Sequence, residues 1–426
     1  MAAQPTPGLA ARLLALRLIE RIDEEGTWLS RVFGHEVTRA RLEGPDKALV
    51  MNLCQTVLRR RPALRFVVAR CTRKGGVKAG LERILHLALA QILFLDRVPD
   101  HAAVDLAVRA AKKAGHHRYS GLVNGLLRRV VREKSEWLAA VEDHAGGALL
   151  GPAPEALFAR WVKRLGSDRA IALQRRLAEP AVVDARLDRG DLAAWCERLG
   201  AEPIPGAPDR MRLPPGDPSA LAGFASGDWT VQDRNAARIV PLLPPGGRRV
   251  ADLCAAPGGK TTQLALLHPS AQVLAFELHE HRAELVSQAL ERCQLRAEVI
   301  VGDAAALCGE HGPFDRIVLD APCTGLGTLR RHPEIGQRRR LKELRAHSKT
   351  QRRLLQAALD VLQPGGSLVY SVCSLEPEEG EEVIAQALAE ADVRLVERPS
   401  LPTGQGCFGL NGEGDGFYVA VLERFS

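Results

Sequence analysis

The stretch Asp252-Leu253-Cys254-Ala255-Ala256-Pro257-Gly258-Gly259-Lys260-Thr261 constrains the fold more than any other. It comes after a short apolar run (Val250, Ala251, Leu253) and opens a helical pattern (Thr262, Leu264, Ala265, Leu267). That order reads as a strand, a tight glycine turn and a helix start. Adjacent glycines let the backbone come close to a ligand, and a helix N-terminus offers unpaired N–H groups to an anionic group. An ordinary tight turn between a strand and a helix would carry the same residues, so the turn alone does not decide between the two.

Eighteen positions after Gly259, Glu277 closes a second apolar run, Gln272 to Phe276. A third run, Ala297 to Val301, leads into Gly302-Asp303, and a fourth, Phe314 to Leu319, into Asp320-Ala321-Pro322-Cys323. Short apolar runs alternating with helical patterns predict a mostly parallel, doubly wound sheet. Ligands of such sheets bind beyond the carboxyl ends of the strands, where an acid about 20 residues past the glycine turn holds ribose hydroxyls. Glu277, Asp303 and Asp320 all stand at strand ends. Each alone could be a helix N-cap; three in register with a glycine turn point to one crevice. Gly259-Lys260-Thr261 also looks like the end of a phosphate-binding loop. That loop needs a glycine five places earlier, where this chain has Cys254, so the nucleotide-phosphate cradle is broken.

A chain of 426 residues is long enough for two or three domains. Its 46% apolar and 26% charged residues are those of an ordinary water-soluble protein. No uninterrupted apolar run is long enough to span a membrane. Lys and Arg outnumber Asp and Glu 58 to 51, a moderately basic balance that fits a nucleic-acid partner. The nine cysteines show neither CxxC pairs nor Cys/His metal spacing, which argues for reduced thiols in a cytoplasm and for no bound metal. Arg12 and Arg17 precede the first acid, Glu20, as in a transit peptide, but Glu20, Asp23, Glu24 and Glu25 continue one helical pattern and favour a folded N-terminal helix. Three Tyr and ten Phe leave little for recognition by aromatic stacking.

Residues 1–135 read as an all-α bundle. Apolar positions recur at spacings of three and four through Leu13 to Ile19, Leu49 to Leu58, Leu81 to Leu93, Ala102 to Ala114 and Val123 to Val130. Basic runs interrupt them: Arg59-Arg60-Arg61, Lys112-Lys113, His116-His117-Arg118, and Arg128-Arg129 with Arg132. Each run suits a solvated helix face; several on one bundle favour a phosphate-contacting surface. The run Ile84 to Leu95, then Val98-Pro99, then Val104 to Lys113, then Leu122-Val123-Asn124-Gly125-Leu126-Leu127-Arg128, resembles the RNA-binding helical domain typified by NusB. Residues 136–226 read as a small α/β connecting subdomain: helices within Pro152 to Leu177, a strand over Pro180 to Leu187, and loop from Pro203 to Pro218. Residues 227–426 carry the sheet pattern. They add a long helix from Leu341 to Leu362, a strand from Gly366 to Ser374 with Cys373 near its end, a helix from Glu376 to Ala391, and a last strand from Gly416 to Leu422.

Cys323 and Cys373 end neighbouring strand patterns, so both should face the crevice. A lone cysteine is by default a small buried apolar residue, as expected for Cys71, Cys196 and Cys293. A pair aimed at one cleft beside Asp320 suggests a nucleophile. Val231-Gln232-Asp233, Asp252 to Lys260, Asp320-Ala321-Pro322-Cys323-Thr324-Gly325, Arg331-His332-Pro333-Glu334, Val372-Cys373-Ser374 and Asp415-Gly416-Phe417 together resemble the Nol1/Nop2/Sun family of RNA cytosine-C5 methyltransferases. With its NusB-like front end the chain resembles the bacterial small-subunit rRNA branch of that family, the RsmB type.

The resemblance implies a C-terminal α/β Rossmann-like methyltransferase domain using S-adenosyl-L-methionine, with ribosomal RNA as partner and a monomeric, membrane-free, cytoplasmic protein. Cytosine C5 is a poor nucleophile until a thiolate adds to C6. By resemblance Cys373 is that nucleophile and Cys323 assists release; the residues alone do not choose between the two. Asp320 would hold the base's N3/N4 edge, and Lys260 would orient Asp320 or stabilise charge. The target base must be unpaired or flipped out. Cys254, Ala255, Ala256, Pro257, Gly258, Gly259 and Lys260 would approach the methionine end of the cofactor, Glu277 its ribose and Asp303 its adenine amino group, with Asp320 beside them. Arg330-Arg331, Arg338-Arg339-Arg340 and Lys342 are candidate phosphate contacts. The chain departs from the family at Gly336-Gln337, where an aromatic is usual, and at Asp188, where Arg-x-Asn is usual. Alternatives are a C5-methyltransferase of another RNA such as tRNA, and a non-catalytic RNA-binding assembly factor that keeps the fold.

Overall fold

Helix α1 (Leu9–Glu24) buries Ala11, Leu14, Ala15, Leu18, Ile19 and Ile22, the three-and-four spacing of a helix with one apolar face. The same logic repeats through α2 (Leu29–Ala40), α3 (Gly44–Cys71), α4 (Ala79–Phe94), α5 (Asp100–Lys113), α6 (Ser120–Arg132), α7 (Lys134–Asp143), α8 (Glu155–Leu165) and α9 (Ser167–Ala178). A computed structural model describes residues 8–72, 76–96, 98–409 and 412–425. Its contacts divide the chain into two units. One runs up to Pro180 and includes Leu329–Arg338; the other is Ala181–Thr328 with the chain from Arg339 onward. Residues 136–180 of the middle segment thus cluster with the bundle, and 181–226 with the sheet domain. α4 supplies ten consecutive buried residues from Ile84 to Leu93, as the innermost helix of a bundle must. Among the described residues no helix is long and apolar enough to cross a membrane.

The second unit opens with a small antiparallel sheet. β1 (Asp184–Leu187), α10 (Leu192–Leu199), β2 (Glu202–Pro203), β3 (Arg210–Arg212) and β4 (Trp229–Val231) give strand order β2-β3-β1-β4. The main sheet begins with β5 (Arg249–Asp252), α11 (Gly259–Leu267), β6 (Gln272–Glu277), α12 (Glu280–Cys293), β7 (Glu298–Val301), α13 (Ala304–His311) and β8 (Phe314–Asp320). Then come α14 (Ile335–Arg338), α15 (Leu344–Asp360), β9 (Leu362–Val372), α16 (Glu381–Glu390), β10 (Val393–Leu395), β11 (Gln405–Phe408) and β12 (Phe417–Arg424). The order is β10-β12-β9-β8-β5-β6-β7, with β11 on β12. β5 to β9 are parallel, and β12 returns antiparallel to β9. Residues alternate between two cores. Ala251, Leu274, Ile317, Leu319, Leu368 and Tyr370 face one, and Val250, Val273, Val318, Val369 and Val419 the other.

Several sequence expectations need correction. The long helix stops at Asp360, because Leu362 already pairs with Phe314 in the sheet. The helix expected from Glu376 starts at Glu381, after a turn in which Glu379 N–H donates to Glu376 O. The 203–218 loop contains β3, which β1 requires as a partner. Arg59 and Arg61 are not a solvated basic face. Both are buried: Arg59 Nε donates to Arg330 O at 3.1 Å, and Arg61 pairs with Asp23.

Segment Leu329–Arg338 explains the burial of Arg59. Leu329 and Ile335 are buried, Leu29 N donates to Glu334, and the Trp28 ring meets His332 edge-on at 6.4 Å. Arg338 donates to Ile22 O and Thr27 O, and Arg330 to Pro180 O at 2.9 Å. Arg330 and Arg338 are therefore spent on protein carbonyls rather than held for phosphate. A Cβ on Gly336 would stand 2.5 Å from Pro152 O, so the aromatic usual near this place has no room at that position.

Candidate active site

Three parallel strands end together around the point where strand order reverses, β6 lying on one side of β5 and β8 on the other. Register fixes what meets there. Asp252 pairs with Val318, and Asp320 with Ser371. Lys260, in the first turn of α11, donates from Nζ to Asp320 Oδ2 at 2.6 Å, and Ser371 Oγ donates to Asp320 Oδ1 at 2.6 Å. Both oxygens of that carboxylate are thus held in place. Burial works against the charged Lys260, but the Asp320 carboxylate outweighs it and holds the ammonium above its ordinary range.

Cys323, three residues past β8, and Cys373, at the end of β9, bring their sulfurs to 3.3 Å. Both are free thiols. The hydrogen bond with Cys373, then burial, pushes the Cys323 thiol well above the usual range. Asp252 lies fully buried beneath, accepting from Thr261 Oγ1 at 2.8 Å. Burial raises its carboxyl to about 6.

A cleft of roughly 370 Å³ opens beside these groups, lined by Cys254, Ala256, Glu277, Asp303, Asp320, Cys323 and Cys373, with Leu253, Leu278 and Leu354 as apolar wall. Glu277 is buried. Its Oε2 accepts from Ala256 N at 3.3 Å and its Oε1 from His279 N at 3.2 Å. Asp303 caps α13 through Ala305 N and pairs with Arg353 at 2.7 Å; the Arg353 hydrogen bond holds its carboxyl below the usual range. Ala255, Pro257, Gly258 and Gly259 build the turn without lining the cleft. Gly258 has φ 103°, and a Cβ there would stand 2.9 Å from Ala289 Cβ. Its lack of a side chain serves its left-handed backbone and the packing of α12.

Sequence reasoning missed Ser371, Arg282 and Arg353. Ser371 was within reach, since it sits two residues before Cys373 on the same strand face; Arg282, which also lines the cleft, and Arg353 come from helices whose rotation the pattern does not set. Among the described residues no group of three or more His, Cys, Asp or Glu side chains could hold a metal ion.

The chain matches the family model described as 16S rRNA methyltransferase RsmB/F over residues 239–423, and the NusB family model over residues 9–132. It is 35% identical to ribosomal RNA small subunit methyltransferase B of Klebsiella pneumoniae, over 96% of this chain and 97% of that one. The protein of the same name from Erwinia tasmaniensis is also 35% identical, over 97% and 98%. Among solved structures, that of PH0851 aligns over 99% of both chains with TM-score 0.78 at 23% identity, a likeness of fold. A methyltransferase homolog protein from Pyrococcus horikoshii aligns at 30% identity and TM-score 0.56, covering 63% of this chain and 95% of that one.

Proposed function

The chain belongs to the RsmB/F family of 16S rRNA methyltransferases, and from that premise we propose that it methylates C5 of a cytosine in small-subunit ribosomal RNA through a covalent cysteine adduct. It is an S-adenosylmethionine-dependent rRNA methyltransferase. The observation that carries the finer reading is the pair of thiols 3.3 Å apart beside the Lys260–Asp320 ion pair. Methylation of an oxygen or an exocyclic nitrogen, which already carries a lone pair, needs no such pair.

The cleft fits the cofactor by its own chemistry. A buried carboxylate, Glu277, suits a ribose diol, and leucines suit an adenine face. When bound, S-adenosylmethionine supplies an electrophilic methyl group. Cys373, as thiolate, adds to C6 of the base and makes C5 electron-rich. Asp320 accepts a hydrogen bond from the base's exocyclic amino group, its own position held by Lys260 and Ser371. Lys260, cationic throughout, offsets negative charge that develops on the ring. Once C5 carries both methyl and hydrogen, its proton passes to a water molecule, the C5–H pair re-forms the C5–C6 double bond, and the C6–S electron pair returns to Cys373. Cys323, kept as a thiol, hydrogen-bonds that departing sulfur.

The test is nucleoside mass spectrometry of small-subunit rRNA incubated with the protein and cofactor. 5-Methylcytidine is expected; methylation only at another position or base overturns the reading.

A further inference from the structure

A fully buried carboxylate outside the chemistry joins the two cysteine loops. Glu379 lies six residues past Cys373 and is 0% exposed. Its Oε1 accepts from Thr324 N at 2.8 Å and its Oε2 from Thr324 Oγ1 at 2.5 Å. Thr324 is the residue after Cys323. Gln351, on α15, donates to both Glu379 Oε1 at 3.2 Å and Pro322 O at 3.0 Å, so the residues on either side of Cys323 are tied to one group. The backbone of Glu379 is held in turn: Tyr370 Oη, three residues before Cys373, donates to Glu379 O at 2.6 Å. A second tie runs the other way, from Gly327 N to Cys373 O at 2.9 Å.

A buried carboxylate is costly unless each oxygen is satisfied, and here each is. What the satisfied group fixes is the path of Pro322-Cys323-Thr324 against the strand that ends in Cys373. We propose that Glu379 is a positioning residue that holds the Cys323 thiol against Cys373 and so acts on resolution of the RNA adduct rather than on its formation. Cys373 follows directly on Val372, the last residue of a strand held by ladder hydrogen bonds on both sides, β8 and β12. Cys323 sits in a loop without a ladder, and its place depends on this clamp. Displacing a reacting group by about 1 Å costs on the order of a hundredfold, and the loosened group would be Cys323. The proposal rests on the covalent reading of the reaction.

The experiment uses the full-length protein with transcribed small-subunit rRNA, and compares wild type, Cys323→Ala, Glu379→Gln and Thr324→Val. Glu379→Gln places an NH2 group against one of the Thr324 donors. Thr324→Val keeps the shape, removes only the hydroxyl donor, and carries the test should Glu379→Gln fail to fold. Both are expected to bind S-adenosylmethionine within about twofold of wild type and to lose roughly tenfold in kcat at unchanged KM, the scale of one charge-assisted hydrogen bond. Both should accumulate RNA-linked protein on a denaturing gel, as Cys323→Ala does. Adduct with Cys323→Ala but none with either clamp variant, or wild-type turnover in both, overturns the inference alone. No adduct with Cys323→Ala either removes the assigned roles of the two thiols first, and this inference with them.

Discussion

Replacing Glu277 by Gln should weaken S-adenosylmethionine binding by about 10- to 150-fold, a range set by the value of a hydrogen bond to a charged acceptor, about 1.5–3 kcal/mol. The side chain is 4% exposed at the end of β6 and faces the cleft. Each carboxylate oxygen has two acceptor sites. Ala256 N and His279 N occupy one on each, through long bonds of 3.3 and 3.2 Å, and Arg282 Nη1 stands 3.5 Å from Oε1 as an ion pair without a hydrogen bond, so each oxygen keeps a site for a ribose hydroxyl. Gln turns one oxygen into a donor facing a backbone N–H, removes the charge, and leaves one acceptor for two hydroxyls. Glu277→Ala loses both acceptors and should reach the top of that range. Asp303→Asn should cost less, because Asp303 already spends its oxygens on Arg353 and Ala305 N. Isothermal titration on each folded variant reads the effect. Dissociation constants within twofold of wild type for both Glu277 variants would refute the assignment.

The helical unit carries two stability predictions. His86 is buried in α4, pushed down to about 3 by burial and then by Arg61 and Arg65. Below its unfolded value near 6.5 the unfolded chain therefore takes up a proton that the fold refuses, so stability falls as pH drops from 6.5 toward 3. That is about 2 kcal/mol between pH 7.5 and 5.0, and the urea midpoint of wild type should fall more over that interval than that of His86→Leu; equal falls would remove His86 as the cause. Gly336→Ala should cost about 1–3 kcal/mol by driving a Cβ into Pro152 O, and an unchanged urea midpoint would show that Leu329–Arg338 yields freely.

The candidate site was more legible in the sequence than the surface was. Cys323, Cys373, Asp320 and Glu277 could be found because parallel strands deliver their carboxyl ends to one crevice, and strand ends can be read from apolar runs. The glycine turn was legible as a turn. The reason for Gly258 was not, because it depends on α12, whose approach no local pattern encodes. One basic run, Arg59 to Arg61, misled for a related reason, while Lys112, Lys113, Arg128, Arg129 and Arg132 are exposed as read. Arg59 and Arg61 look solvated by composition, yet Arg59 meets a carbonyl 271 residues away and Arg61 meets Asp23. Gly336 departs from the family's usual aromatic because its neighbour is a carbonyl from residue 152. Asp188, the other departure, pairs with Arg186 at 2.6 Å and accepts from Thr230 Oγ1 at 2.6 Å, so the charged residue is satisfied inside its own subdomain.

The covalent use of two thiols is tested most directly by separating them. Cys373→Ala and Cys323→Ala, each incubated with transcribed small-subunit rRNA and cofactor, are run on a denaturing gel. If Cys373 attacks C6, its loss gives no RNA-linked band. If Cys323 acts only after attack, its loss leaves adduct that forms and cannot resolve, and the double variant shows none. A band with Cys373→Ala and none with Cys323→Ala would exchange the two roles. Bands with neither, while the wild type methylates the same RNA, would contradict the covalent mechanism itself.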